Sequence, residues 1–92
     1  MSKNTTVEQI RNAVKQGGYD YTHTFNDRMK DGTRRIKFMI EGQNSYDPSV
    51  TEYLHKNISA GLSSASVSTV RAGWIQCREG TEHEYTAYAV FI

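Results

Sequence analysis

Twice along this chain the hydrophobic period changes from the three-to-four spacing of a helix to the alternation of a strand. Val7, Ile10 and Val14 recur on one helical face with Ala13 beside them. Thr5 and Glu8 stand at the spacing of a capping box before that face, and Gly17 and Gly18 stop it. From Tyr19 the period is two, with Tyr19, Tyr21, His23 and Phe25 on one side and Asp20, Thr22 and Thr24 on the other. A second alternating run, RRIKFMIE, sets Ile36, Phe38 and Ile40 against Arg35, Lys37, Met39 and Glu41. Between the two runs, Asp31-Gly32 offers positive φ for a hairpin.

The cycle then repeats. After the polar connection EGQNSY, Asp47 caps a helix with Pro48 at its first position, and Val50, Tyr53, Leu54 and Ile58 form its apolar stripe up to Gly61. VSTVRAGWIQCRE and EYTAYAVFI follow as a last hairpin turning near Gly80-Thr81. Placing Arg78 opposite His83 sets Trp74 over Ala87, Gly73 over Tyr88 and Val70 over Phe91, large against small. One face then gathers Val70, Ala72, Trp74, Tyr85, Ala87, Ala89 and Phe91. The other carries Arg71, Ile75, Cys77, Thr86, Tyr88, Val90 and Ile92. The order α-β-β-α-β-β predicts an α+β fold: a four-stranded antiparallel sheet with both helices on its richer face and the other face partly open.

At 92 residues this is a single domain, 1–92, with one modest core. The 37% hydrophobic content and single proline argue for a folded chain. A net charge of +1 excludes both a cationic arm and an acidic mimic of nucleic acid, so local distribution must carry any electrostatic role. The lone cysteine, Cys77, forbids an internal disulfide and fits a reducing compartment. No apolar run is long enough for a signal core or a membrane span, which makes the cytoplasm the expected location.

Charge is concentrated in one place. NDRMKDGTRRIKF brings Arg28, Lys30, Arg34, Arg35 and Lys37 around one turn, and residues 28–37 hold five cations against one acid, a local +4. Arg35 and Lys37 are expected on the outer sheet face, with Arg28, Lys30 and Arg34 near the loop. That arrangement suits successive phosphates, and it equally suits a solvated hairpin tip whose cations pair with Asp27 and Asp31. On the open face, Arg71, Ile75 and Tyr88 make a candidate protein interface or stacking surface. Cys77 and His83 point to opposite faces in this pairing, without an oxyanion or nucleophile-elbow pattern, so no catalytic residue is assigned. His23, His55 and His83 lack metal-ligand spacing, and no metal or cofactor is expected. His23 reads as half-buried sheet filling, His55 as a helix-surface residue, and Arg78 as the answer to Glu82 and Glu84.

The amino-terminal MSKNTTVEQIRNAVKQGGYDYTHTF, the basic hairpin and the aromatic carboxy-terminal strand together resemble a phage-encoded anti-CRISPR protein of the type I-F inhibitors, over the full length. The resemblance implies a small, non-enzymatic protein in the cytoplasm of an infected bacterial host. Its implied partner is the crRNA-guided surveillance (Csy) complex, the type I-F Cascade. Inhibitors that imitate duplex DNA are strongly acidic, and this chain is not. The resemblance therefore implies contact with backbone Cas subunits and crRNA, blocking the heteroduplex without chemistry, membrane or small-molecule substrate. Arg28, Lys30, Arg34, Arg35 and Lys37 become the expected contacts. A small phage nucleic-acid-binding or regulatory protein is the alternative reading of the same edge.

Overall fold

Two helices lie on one face of a four-stranded antiparallel sheet. The computed structural model describes residues 3–43 and 46–92, residues 3–5 by their backbone alone. The elements run α1 (Lys3–Gln16), β1 (His23–Arg28), β2 (Arg34–Met39), α2 (Pro48–Ser64), β3 (Arg71–Cys77) and β4 (Tyr85–Phe91). The order across the sheet is β1-β2-β4-β3, so the last strand sits in the middle.

Helix α1 forms where the 3.6 period predicts it, with Ile10, Ala13 and Val14 buried. It begins at Lys3, so Thr5 is already inside the helix and not at its cap, and the side-chain half of the Thr5–Glu8 box lies outside the described residues. Gly18, at φ +101°, reverses the chain, while the Tyr19 amide returns to the Val14 carbonyl at 3.3 Å. In the EGQNSY connection, Asn44 and Ser45 lie outside the described residues.

Helix α2 starts as its cap dictates, the Asp47 carboxylate accepting from the Ser49 amide at 2.9 Å. It does not stop at Gly61. Residues Leu54, Ile58 and Leu62 form its buried face, and the helix ends at Ser64 with Ser66 in the left-handed region at φ 57°. Tyr53, about 100° round the helix from Leu54, is 65% exposed, so it leaves the apolar stripe. Gly61 serves packing: a Cβ there would lie 3.3 Å from Ala13 Cβ, the close approach that seats α1 on α2. Gly17 is tighter still, since a Cβ would meet Ile58 Cγ1 at 2.7 Å and the Ile58 backbone nitrogen at 3.1 Å. Gly17→Ala is therefore expected to destabilise by about 1–3 kcal/mol through overpacking, read as a fall in the urea midpoint with unchanged slope.

Strand β1 starts later than the alternation suggests. Tyr19 turns into the core instead, its hydroxyl donating to the Phe38 carbonyl at 3.1 Å, and burial pushes that phenol far above its ordinary range. Tyr21 packs on Phe38 with ring centroids 4.8 Å apart. Trp74 completes an aromatic cluster, 5.1 Å from Tyr19, 5.0 Å from Tyr46 and 5.3 Å from Tyr88, and its indole N–H donates to the Thr51 carbonyl at 2.8 Å.

The largest correction is one of register. Trp74 stands opposite Tyr88, not Ala87, and Gly73 opposite Ala89. A slip of one residue exchanges the two faces of β4. Tyr88 and Val90 enter the core beside Ile36 and Phe38, while Tyr85, Ala87, Ala89 and Phe91 go to the outer face. The reason lies in β4 itself: its apolar residues occupy both parities, so large-against-small pairing did not identify the buried side. Packing beneath the helices did: Tyr88 lies edge-on to Trp74, opposite Phe38 and bonded to His55 of α2.

Candidate nucleic-acid interface

Arg28, Lys30, Arg34, Arg35 and Lys37 gather on one hairpin, but not on one surface. Residues 29–33 close it, with the Met29 amide bonded to the Thr33 carbonyl at 2.8 Å and Gly32 at φ +90°. Asp31 accepts from the Thr33 amide at 2.9 Å, and this bond holds its carboxyl below the usual range. Alternation then divides the cations. Arg28 stands opposite Arg34 on the helix-side face, with the Arg28 guanidinium donating to the Gly32 carbonyl at 2.9 Å. Arg35 and Lys37 project from the outer face, and Lys30 is exposed at the tip.

The outer face is where cations and rings meet. Across it run two rows set by the ladder: Asp27, Arg35, Phe91, Arg71, and then Phe25, Lys37, Ala89, Gly73. The Arg35 guanidinium grips Asp27 with both prongs, at 3.0 and 2.7 Å. Lys37 is extended over the sheet, its ammonium 3.1 Å from the Tyr85 hydroxyl, 3.9 Å from Asp27, and 5.4 and 5.7 Å from the Phe25 and Tyr85 ring centroids. The Arg71 guanidinium carbon stands over the Phe91 ring, 4.0 Å from its centroid. Among the described residues, no carboxylate forms an ion pair with Arg71 or Arg78. The sequence expectation for Arg78 fails because the hairpin turn uses the acids otherwise: Glu84 accepts from the Gly80 amide at 3.4 Å, and Glu82 lies 3.5 Å from His83.

The Arg35 hydrogen bond is the main reason that the Asp27 carboxyl sits below its ordinary range; desolvation opposes it, and the Arg35 and Lys37 charges add to the lowering. A carboxyl lowered by folding contributes stability above its unfolded pKa, and that contribution disappears as pH falls through the folded value. Asp27 is 41% exposed, so the pair is worth at most about 1 kcal/mol. Asp27→Asn is accordingly expected to melt below the wild type at neutral pH, with the gap closing as both are acidified through the carboxylate range. A gap that stays constant would exclude the pair as its cause.

Of the three residues expected as a second interface, Arg71 and Ile75 do share the outer face. Tyr88 does not: it is fully buried, 2.8 Å from His55 Nδ1, and burial pushes its phenol up to about 12. His55 is correspondingly half-buried against Tyr88 and not a plain surface residue. His23 is exposed beside Glu41 at 3.5 Å, because β1 has left the core by that point. Cys77 stands opposite Tyr85, and His83 lies beyond the strand in the turn.

What the sequence reading missed are the rings that accompany the charges: Phe25, 42% exposed, with the half-buried Tyr85, and Phe91 on the same face but buried at 4% exposure under Arg71. Their signal was the odd-numbered series Tyr85, Ala87, Ala89, Phe91, which marks an outer face once Tyr88 is placed inside. Among the described residues no cluster of three or more His, Cys, Asp or Glu side chains forms a metal site, and no helix is long and apolar enough to cross a membrane. Comparison with protein families, with curated proteins and with solved structures finds no match to this chain.

Proposed function

We propose that this protein is a stoichiometric anti-CRISPR inhibitor. It seats on the type I-F crRNA-guided surveillance (Csy) complex in the cytoplasm of an infected bacterium, touching backbone Cas subunits and crRNA. A folded wedge over the guide obstructs the heteroduplex that supplies sequence recognition, so no catalytic group or cofactor is needed. The observation that supports the reading most directly is the outer sheet face, where Arg35, Lys37 and Arg71 stand among Phe25, Tyr85 and Phe91. Cations and rings interleaved on a sheet suit an RNA strand held in a protein frame. The full-length resemblance supplies the identity of that frame. Arg28 and Arg34 belong to the opposite face, so the proposal assigns the closest RNA contacts to Arg35 and Lys37 and leaves Lys30, at the tip, to bridge the two sides.

Co-purification with the intact guide complex, followed by addition of target DNA, tests this. The protein should remain bound and the DNA should fail to hybridise, and replacing the guide sequence should leave inhibition intact. Hybridisation that proceeds on the occupied complex would end the proposal. The second reading, a small phage nucleic-acid-binding or regulatory protein, is favoured by the same face, because free single strands are held by charge and stacking together. A gel-shift titration separates the two: an inhibitor needs the Cas subunits for tight binding, whereas the alternative binds free nucleic acid as tightly.

A further inference from the structure

Gly73 has no explanation within its own chain. The other six glycines each have a positive φ or a close neighbour where a Cβ would stand, and Gly73 has neither. It sits in the middle of β3, where an added Cβ would meet nothing within 4 Å among the described residues. Glycine inside a strand gives up packing and conformational entropy, and it recurs where another chain segment approaches closely. Here that segment lies outside the protomer.

The position fits one kind of neighbour. Strand β3 is an edge: β4 stands on one side, and among the described residues no strand stands on the other. It pairs with β4 one to one over all seven residues, without a bulge, and it holds no proline and a single charge, Arg71 at its first position. The opposite edge, β1, carries the charges of Asp27 and Arg28. An edge without bulge, proline or central charge invites a further strand, whose backbone groups complete the ladder.

A second copy of β3 supplies that strand and accounts for the glycine. Two β3 strands set antiparallel about a two-fold axis at Trp74 place Gly73 opposite Ile75 of the second copy, twice over, and Arg71 opposite its Cys77. These positions share the outer face, where directly opposed Cβ positions lie about 5 Å apart, so Ile75 covers the space that Gly73 leaves open. Trp74 can stand on the axis because its indole is turned to its own helix, donating to the Thr51 carbonyl at 2.8 Å. Charge agrees with this register. It brings the turn after β3 of one copy, with Glu79, Glu82 and Glu84 against Arg78, to the Arg71 end of the other, and Arg71 has no ion-pair partner in its own chain among the described residues.

We propose that β3 is a homodimerisation edge: two copies join antiparallel at Trp74 into one continuous eight-stranded sheet, Ile75 of each filling the space beside Gly73 of the other. The proposal is independent of the inhibitor reading above.

Light scattering during size-exclusion chromatography should show the mass rising with concentration from 10.5 kDa to twice that value. Gly73→Val adds a strand-favouring side chain for which the protomer has room, so it should melt no lower than the wild type while weakening dimerisation by about tenfold or more. Ile75→Lys, a charge of the kind that natural edges set against pairing, should weaken it as much. Arg71→Cys reads the register. Positions 71 and 77 are roughly 20 Å apart along one strand, too far for a disulfide within the chain, but the new thiol would stand opposite Cys77 of the second copy. Air oxidation should therefore give a covalent dimer whose peptide map joins position 71 to position 77. A wild type that stays monomeric at every concentration, a Gly73→Val or Ile75→Lys protein that dimerises as the wild type does, a Gly73→Val protein that melts well below it, or an Arg71→Cys protein without the 71-to-77 link would each overturn the proposal. Loss of binding to the Csy complex by Gly73→Val, in a protein that never dimerises, would give the edge to a strand of a Cas subunit and overturn it equally.

Discussion

Truncating Tyr88 to alanine is expected to cost about 3–5 kcal/mol, the range for removing a large buried ring. For a domain of this size that lowers Tm by roughly 12 °C or more, enough to unfold a marginal chain at working temperature. The expectation follows from where β4 sits. Tyr88 is fully buried, edge-on to Trp74 with centroids 5.3 Å apart, opposite Phe38 on β2, and bonded to His55 on α2. Its removal leaves a cavity that touches both helix and sheet. The experiment is also a test of register. If Trp74 instead stood over Ala87, Tyr88 would lie on the outer face, and its truncation would cost about as little as an ordinary surface change, within roughly 0.5 kcal/mol. Urea unfolding of Tyr88→Ala distinguishes the two values without ambiguity.

Reversing Arg35 and Arg71 together is expected to weaken binding to the Csy complex by about 100-fold, while reversing Arg28 and Arg34 together changes it by less than about threefold. The two outer cations flank Phe91 in one row of the sheet, and the other two stand on the helix side of the hairpin. A strand laid over the outer face meets the first pair and not the second. The salt dependence should fall with the affinity, by roughly 0.7 in slope for each phosphate that the protein no longer neutralises. Since Arg35 also holds Asp27, Arg35→Gln serves as a control that removes the charge without placing two carboxylates together. Binding that follows the Arg28–Arg34 pair, or that ignores both pairs at all salt concentrations, would move the RNA-binding surface away from the outer face.

The helices and β2 were legible because each has one apolar face and one polar face. Ile10, Ala13 and Val14 share a stripe, and Ile36 and Phe38 alternate with Arg35 and Lys37, so burial admits a single orientation. The same alternation made Arg35 and Lys37 readable as outward. Strand β1 was half legible: the period of two ran through Tyr19 and Tyr21, but after the Gly17-Gly18 turn Tyr19 is buried in the core and Tyr21 packs on Phe38 ahead of the strand. Gly61 was misread for a related reason. A glycine near the end of an apolar stripe resembles a helix stop, and only the distance to Ala13 identifies it as the point where the two helices touch.

The hydrophobic period by itself determined the number, type and order of the elements, since a helix and a strand repeat their buried positions at different intervals whatever packs against them. The tertiary structure alone decided the register of β4 and with it the composition of the outer face. That strand lies between β2 and β3, with residues of both parities buried, so its own pattern contains no difference between inside and outside. The choice fell to volume: the helices leave room for Tyr88 against Trp74, and the small Ala87 and Ala89 are left on the other side, covered by their larger neighbours.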